Sequence, residues 1–143
     1  MKYESSIQLS ITRYLNKLIE NNVPLWFTKV TSAPMARGTR GIPDLLVCYK
    51  GLFLAFEVKT TICKVSGLQQ MQIDKINRAG GFACVVKNKE DVKKILMLID
   101  ETDLAFSYED ETNTVENRIE LMYEVIKEKL ENEWYKRFSL LFE

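Results

Sequence analysis

An α/β fold, a mixed β-sheet flanked by helices, is what this sequence predicts, and three observations carry that reading. The first is the stretch from Gly41 to Lys59, which reads as two apolar strands joined by a tight turn at Lys50-Gly51. The second is a pair of segments, residues 5–22 and 67–79, whose apolar residues recur at helical spacing. The third is the apolar run from Phe82 to Val86, which follows the second helix after Gly80-Gly81. That strand-helix-strand step argues for a mixed sheet covered by helices.

Taken in order, the first helix is expected over residues 5–22. Ser5 or Ser6 is its cap, Ile7, Ile11, Leu15, Leu18 and Ile19 form its apolar face, and Asn21-Asn22 ends it before Pro24. Leu25 to Val30, aromatic and β-branched, is the first strand. A loop from Thr31 to Gly41 leads to Pro43, which can begin a strand without weakening its interior. Asp44 opens the second strand. The third strand, Leu52 to Val58, is a near-continuous apolar run expected to be buried. Thr60 to Ser66 is a polar loop. The helix that follows carries Leu68, Met71, Ile73 and Ile76 on one side and stops at Gly80-Gly81. Asp91 to Ile99 is a short helix with Val92, Ile95, Leu96 and Ile99 facing inward. The order is α-β-β-β-α-β-α.

The remainder reads differently. Residues 101–114 are acidic and aperiodic, a linker. From Val115 the pattern is helical, with a stripe of Ile119, Met122, Ile126, Leu130, Trp134, Phe138 and Leu141. The chain thus divides into a core, residues 1–100, and an acidic linker with a long amphipathic helix, residues 101–143. That stripe is expected to pack on the core or on a partner subunit, which makes a homodimer.

Composition narrows the chemistry. With no histidine in 143 residues, imidazole acid-base catalysis, Ser-His-Asp triads and histidine metal sites are excluded, leaving carboxylates and lysines. The three cysteines, Cys48, Cys63 and Cys84, show no paired spacing, so neither a disulfide framework nor a zinc site is expected, and a reducing cytoplasmic setting fits. No apolar run reaches the length of a membrane span. The net charge of zero conceals an asymmetry: residues 1–100 hold fifteen Lys and Arg against eight Asp and Glu, and residues 101–143 hold five against twelve. The basic part suits a polyanionic substrate; the acidic part offers a surface to a protein partner.

The chemistry-bearing residues lie at the strand ends. Glu57 and Lys59 share a face because side chains alternate along a strand, while Val58 points into the opposite, apolar layer. A charge at the end of so apolar a strand is costly without a partner or a metal. An acid opening one strand and an acid-x-lysine closing its neighbour make the pattern of a metal-binding nuclease site.

Four motifs, Gly-Ile-Pro-Asp-Leu-Leu (41–46), Phe-Glu-Val-Lys-Thr (56–60), Gly-Leu-Gln (67–69) and Ala-Gly-Gly (79–81), resemble in order and spacing the VRR-NUC branch of the PD-(D/E)xK nucleases. The likeness covers roughly residues 4–95. It implies a restriction-endonuclease-like α-β-β-β-α-β core and a divalent-metal-dependent endonuclease acting on DNA, with branched or junction DNA as a candidate substrate. On that resemblance Asp44 and Glu57 are the metal-binding acids, the Val58 carbonyl a third protein oxygen, and Lys59 the catalytic lysine. Gln69 is then the helix glutamine that lines the site and Glu4 the first-helix acid. Mg²⁺ is the implied ion, with Mn²⁺ able to substitute, because hard cations take oxygen ligands and keep several waters. Lys29, Arg37 and Arg40, ahead of the site, are candidate phosphate contacts. The small stand-alone members of this branch resemble phage or prophage proteins, which puts the chain in a bacterial or phage-infected cell. The alternative function, from another class, is a catalytically silent nucleic-acid-binding or assembly module that keeps the nuclease fold.

Overall fold

A computed structural model describes residues 3–31 and 40–101. The expected linker and long helix over 101–143 fall almost wholly outside these residues, as does Arg37. Among the described residues no helix is long and apolar enough to cross a membrane.

Seven elements occur in the expected order: α1 (Glu4–Glu20), β1 (Leu25–Lys29), β2 (Leu45–Tyr49), β3 (Leu52–Val58), α2 (Gly67–Arg78), β4 (Phe82–Val86) and α3 (Lys89–Glu101). The sheet order is β1-β2-β3-β4. The first three strands form an antiparallel meander, and β4 lies parallel to β3 because α2 carries the chain back across the sheet. The architecture is a mixed α/β sheet flanked by helices, as the sequence predicts.

The turn between β2 and β3 follows from its two residues. Lys50 has φ 47° and Gly51 φ 84°, the two left-handed positions that a tight hairpin with right-twisted strands requires. Alternation then sorts β3 into two faces. Leu52, Leu54, Phe56 and Val58 enter the main core with Ile7, Ile11 and Leu15 of α1 and Val92, Ile95, Leu96 and Ile99 of α3. Ala55 lies on the other face, in a smaller cluster with Ile73 of α2 and Ala83 of β4. Helices α1 and α3 therefore cover one side of the sheet and α2 the other. Since α2 lies chiefly against β4 and leaves the start of β3 uncovered, Phe53 stays 45 % exposed although it sits in the apolar run. Leu68 and Met71 of α2 are exposed for the same reason: only Ile73 and Ile76 reach the sheet.

Two helix starts differ from expectation. Neither Ser5 nor Ser6 caps α1; the extended residue Tyr3 precedes it, with no side-chain cap, and its carbonyl accepts from the N–H groups of Ser6 (3.0 Å) and Ile7 (3.2 Å). Glu4 thereby falls in the first turn. Helix α3 begins before Asp91, since Asn88 Oδ1 accepts from Asp91 N (2.8 Å), satisfying one orphan donor of the first turn, while Asp91 Oδ2 accepts from Lys87 N (2.9 Å) just ahead of the helix.

The far end of α3 is tied to the hairpin. Tyr49 Oη donates to Asp100 (2.8 Å to Oδ1), and Lys50 Nζ pairs with the same oxygen at 2.7 Å. Burial and the Asp100 carboxylate together push the Tyr49 hydroxyl up to about 12, so it stays a donor. Replacing Tyr49 by Phe is expected to cost about 1 kcal/mol and Lys50 by Ala only a few tenths, because the ion pair is half in water. Urea unfolding midpoints at unchanged slope measure both.

Candidate active site

Three elements meet at one end of the sheet: the start of β2, the end of β3 and the first turn of α2. Leu45 pairs with Phe56, so one step further along the antiparallel ladder Asp44 stands opposite Glu57, both on the face that α2 covers. Asp44 Oδ2 accepts from Val58 N at 2.8 Å, closing this end of the hairpin. A residue's N–H and C=O point the same way in a strand, so the Val58 carbonyl faces the Asp44 side too. The next residue turns the other way: Lys59 N donates to Val86 O of β4 at 3.1 Å.

Glu57 is 2 % exposed, the lone charged residue in the described core. Its Oε1 accepts from Gln69 Nε2 at 2.7 Å and lies 3.5 Å from Lys59 Nζ. Its Oε2 is buried and has no partner. Burial, and then the nearby Asp44 charge, push the Glu57 carboxyl up to about 7 against the pull of Lys59. Lys59 Nζ also faces Glu4 Oε1 at 3.7 Å, so the first helix and the third strand share this ammonium.

Gln69 is held at both ends of its amide. Ser66 caps α2, its hydroxyl accepting from Gln69 N (3.2 Å), while Gln69 Oε1 accepts from Ser66 N (2.9 Å). That reciprocal capping box uses up the carbonyl oxygen, which leaves the NH₂ aimed at Glu57. Gly41 supports the same turn from outside. At φ +80° it lies so close to α2 that a Cβ there would be 2.5 Å from the Leu68 carbonyl oxygen. Sequence reasoning did not assign roles to Ser66 or Gly41. The Ser-x-x-Gln spacing of a capping box was the available signal for the first. The second had none beyond being a glycine.

The structure thus brings together Asp44, Glu57, Val58, Lys59, Gln69 and Glu4. Arg40 is exposed, next to Gly41 where the chain touches α2. Lys29 is not brought to the others: it opposes Leu45, and alternation places it with Leu25 and Phe27 on the opposite face of the sheet.

The donors suit a hard divalent ion. Among the described residues no group of three or more His, Cys, Asp and Glu side chains could hold a metal. Asp44 and Glu57 share one face across the ladder, and Glu57 Oε2 is a buried oxygen with no hydrogen-bond partner, so these two carboxylates are the side chains here that could take a hard cation.

No family model matches the chain, and no curated protein sequence does. A solved structure described as a VRR_NUC domain matches over 66 % of this chain and 94 % of that one, at 23 % identity and a TM-score of 0.52. The chain has a VRR-NUC-like fold.

The buried Glu57 carboxylate makes a thermodynamic signature. In the fold Glu57 holds its proton up to about pH 7, while in the unfolded chain it loses it near the ordinary 4.5. The folded state binds more protons between those values, so in a chelating buffer this stabilisation is complete below pH 4.5 and is lost as pH rises through 7. Glu57→Gln is expected to flatten that slope and raise the melting temperature at pH 8 by a few degrees. Scanning calorimetry against pH reads both. Ser66→Ala is expected to cost about 1 kcal/mol through the lost cap, measurable in urea.

Proposed function

We propose that this protein is a divalent-metal-dependent endonuclease that hydrolyses phosphodiester bonds in DNA, with branched or junction DNA as its preferred shape. The observation that carries the proposal is a buried carboxylate with one unpartnered oxygen, Glu57, standing across the ladder from Asp44 and beside Lys59. A fold has no structural use for that combination, because an apolar residue at position 57 would spare the desolvation cost.

In this reading Asp44, Glu57 and the Val58 carbonyl would hold Mg²⁺, or Mn²⁺ in its place. When bound, the ion would lower the pKa of a water and offset charge building on the scissile phosphate. The protein's own groups do the rest. Gln69 fixes the Glu57 carboxylate from one side and leaves the other oxygen for the ion. Lys59, steered by Glu57 and Glu4, orients the attacking water and balances the charge that develops on the phosphate oxygens. Arg40, with Arg37, contacts the backbone phosphates, which positions the nucleic acid without reading its sequence. A homodimer would supply two such sites for paired cuts, and the acidic residues 101–143 would keep a protein partner.

Wild-type protein with Mg²⁺ or Mn²⁺ is expected to cut a panel of supercoiled plasmid, duplex, single strand, flap and four-way junction, fastest on the branched members. Asp44→Ala and Lys59→Ala should each lower cleavage by about a hundredfold or more while DNA binding, read by gel shift, persists. Cutting by either variant at the wild-type rate would remove the assigned site. Binding without cutting by the wild type would identify a silent binding module instead.

A further inference from the structure

A groove of about 950 Å³ runs between α2, β4 and α3, apart from the acids just described. Ile73 and Val65 on one side, Val85 on its floor, and Ile95 and Leu98 on the other give it an apolar lining. Its floor is the sheet's edge. Among the described residues β4 has a neighbour only on the β3 side. Asn77 covers part of that edge, donating to Ala83 O (3.0 Å) and accepting from Ala83 N (2.8 Å). Val85, two residues on, turns its N–H and C=O to the same outer side. An uncovered edge beside an apolar groove is a site for unwanted strand pairing, and proteins blunt it with a helix or loop laid over it.

Three observations say what covers it. The chain leaves the described fold at Glu101, itself on the groove wall, after Met97, which is 60 % exposed there. The 42 residues beyond it carry an apolar stripe from Ile119 to Leu141, about 33 Å long at helical rise. The thirteen residues 102–114 reach about 40 Å when extended, enough to bring that stripe back over either end of the groove.

We propose that the stripe at 119–141 seats in this groove within the same chain, shielding the β4 edge. The proposal does not depend on nuclease activity.

Cys63 reports on it, being an exposed thiol on the groove wall, while Cys84 is buried. In the full-length chain with Cys48→Ser, single cysteines are stepped through residues 115–141 and oxidised mildly at low protein concentration. Disulfides to Cys63 are expected within one chain and at positions recurring every three or four residues on the striped side; Glu128→Cys, on the opposite side, should not join. Without an added cysteine, Leu130→Glu should speed the reaction of Cys63 with a thiol reagent several-fold. Bridges that link two chains would overturn the proposal in favour of a second copy in the groove. Bridging without helical periodicity, or a Cys63 rate unmoved by Leu130→Glu, would overturn it outright.

Discussion

Burying Glu57 is the constraint around which this end of the molecule is arranged. The β3 strand must be apolar to hold α1, α3 and α2 against the sheet, yet it ends in a carboxylate that is 2 % exposed. A lone charge there would be prohibitive, so neighbouring elements each lend it something. Helix α2 brings the Gln69 amide, β3 itself brings Lys59 one turn of the pleat later, and α1 brings Glu4 to hold that lysine from behind. Asp44 adds charge of the same sign rather than relief. The set as a whole leaves Glu57 Oε2 without a hydrogen-bond partner, so the pairing with Lys59 does not satisfy this carboxylate completely.

Much of this was legible in the sequence, for reasons that can be traced to particular residues. The hairpin showed itself through Lys50-Gly51 and the alternation around it, and β4 through the apolar run after Gly80-Gly81, because short-range chemistry decides both. Asp44, Glu57, Lys59, Gln69 and Glu4 do converge, since strand ends and helix starts are where a chain of this order must place them. What was missed depends on tertiary approach. Gly41 matters because a helix backbone lies against it, and nothing local announces that. Exposure of Phe53 and Leu68 reflects how much of the sheet one helix can cover. Lys29 looked close to the site along the chain, but a strand's two-residue period sends it to the other face.

The two faces also divide labour. The α1 and α3 side carries nearly all of the large buried side chains, so it supplies the stability. The α2 side buries little beyond Ala55, Ile73 and Ala83, and it holds the polar constellation. A site placed over a thin cluster can carry unfavourable charge without threatening the main core, since the costs are borne where few apolar contacts would be lost. Capping by Ser66 then becomes more than a helix stop. It fixes an amide whose orientation packing alone would not determine.

The separation of Asp44 and Glu57 along the chain has a kinetic consequence. Both lie on a single hairpin whose closure spans only the tight turn, a kind of contact that forms on a microsecond scale. The parallel β3–β4 pairing and the arrival of Gln69 require α2 to cross the sheet first, a longer loop with a greater entropic cost. The contact that opposes the two acids is thus a local one, whereas the amide and the helix that shelter them arrive through a longer loop, and without that shelter the two carboxylates face each other's like charge across the hairpin.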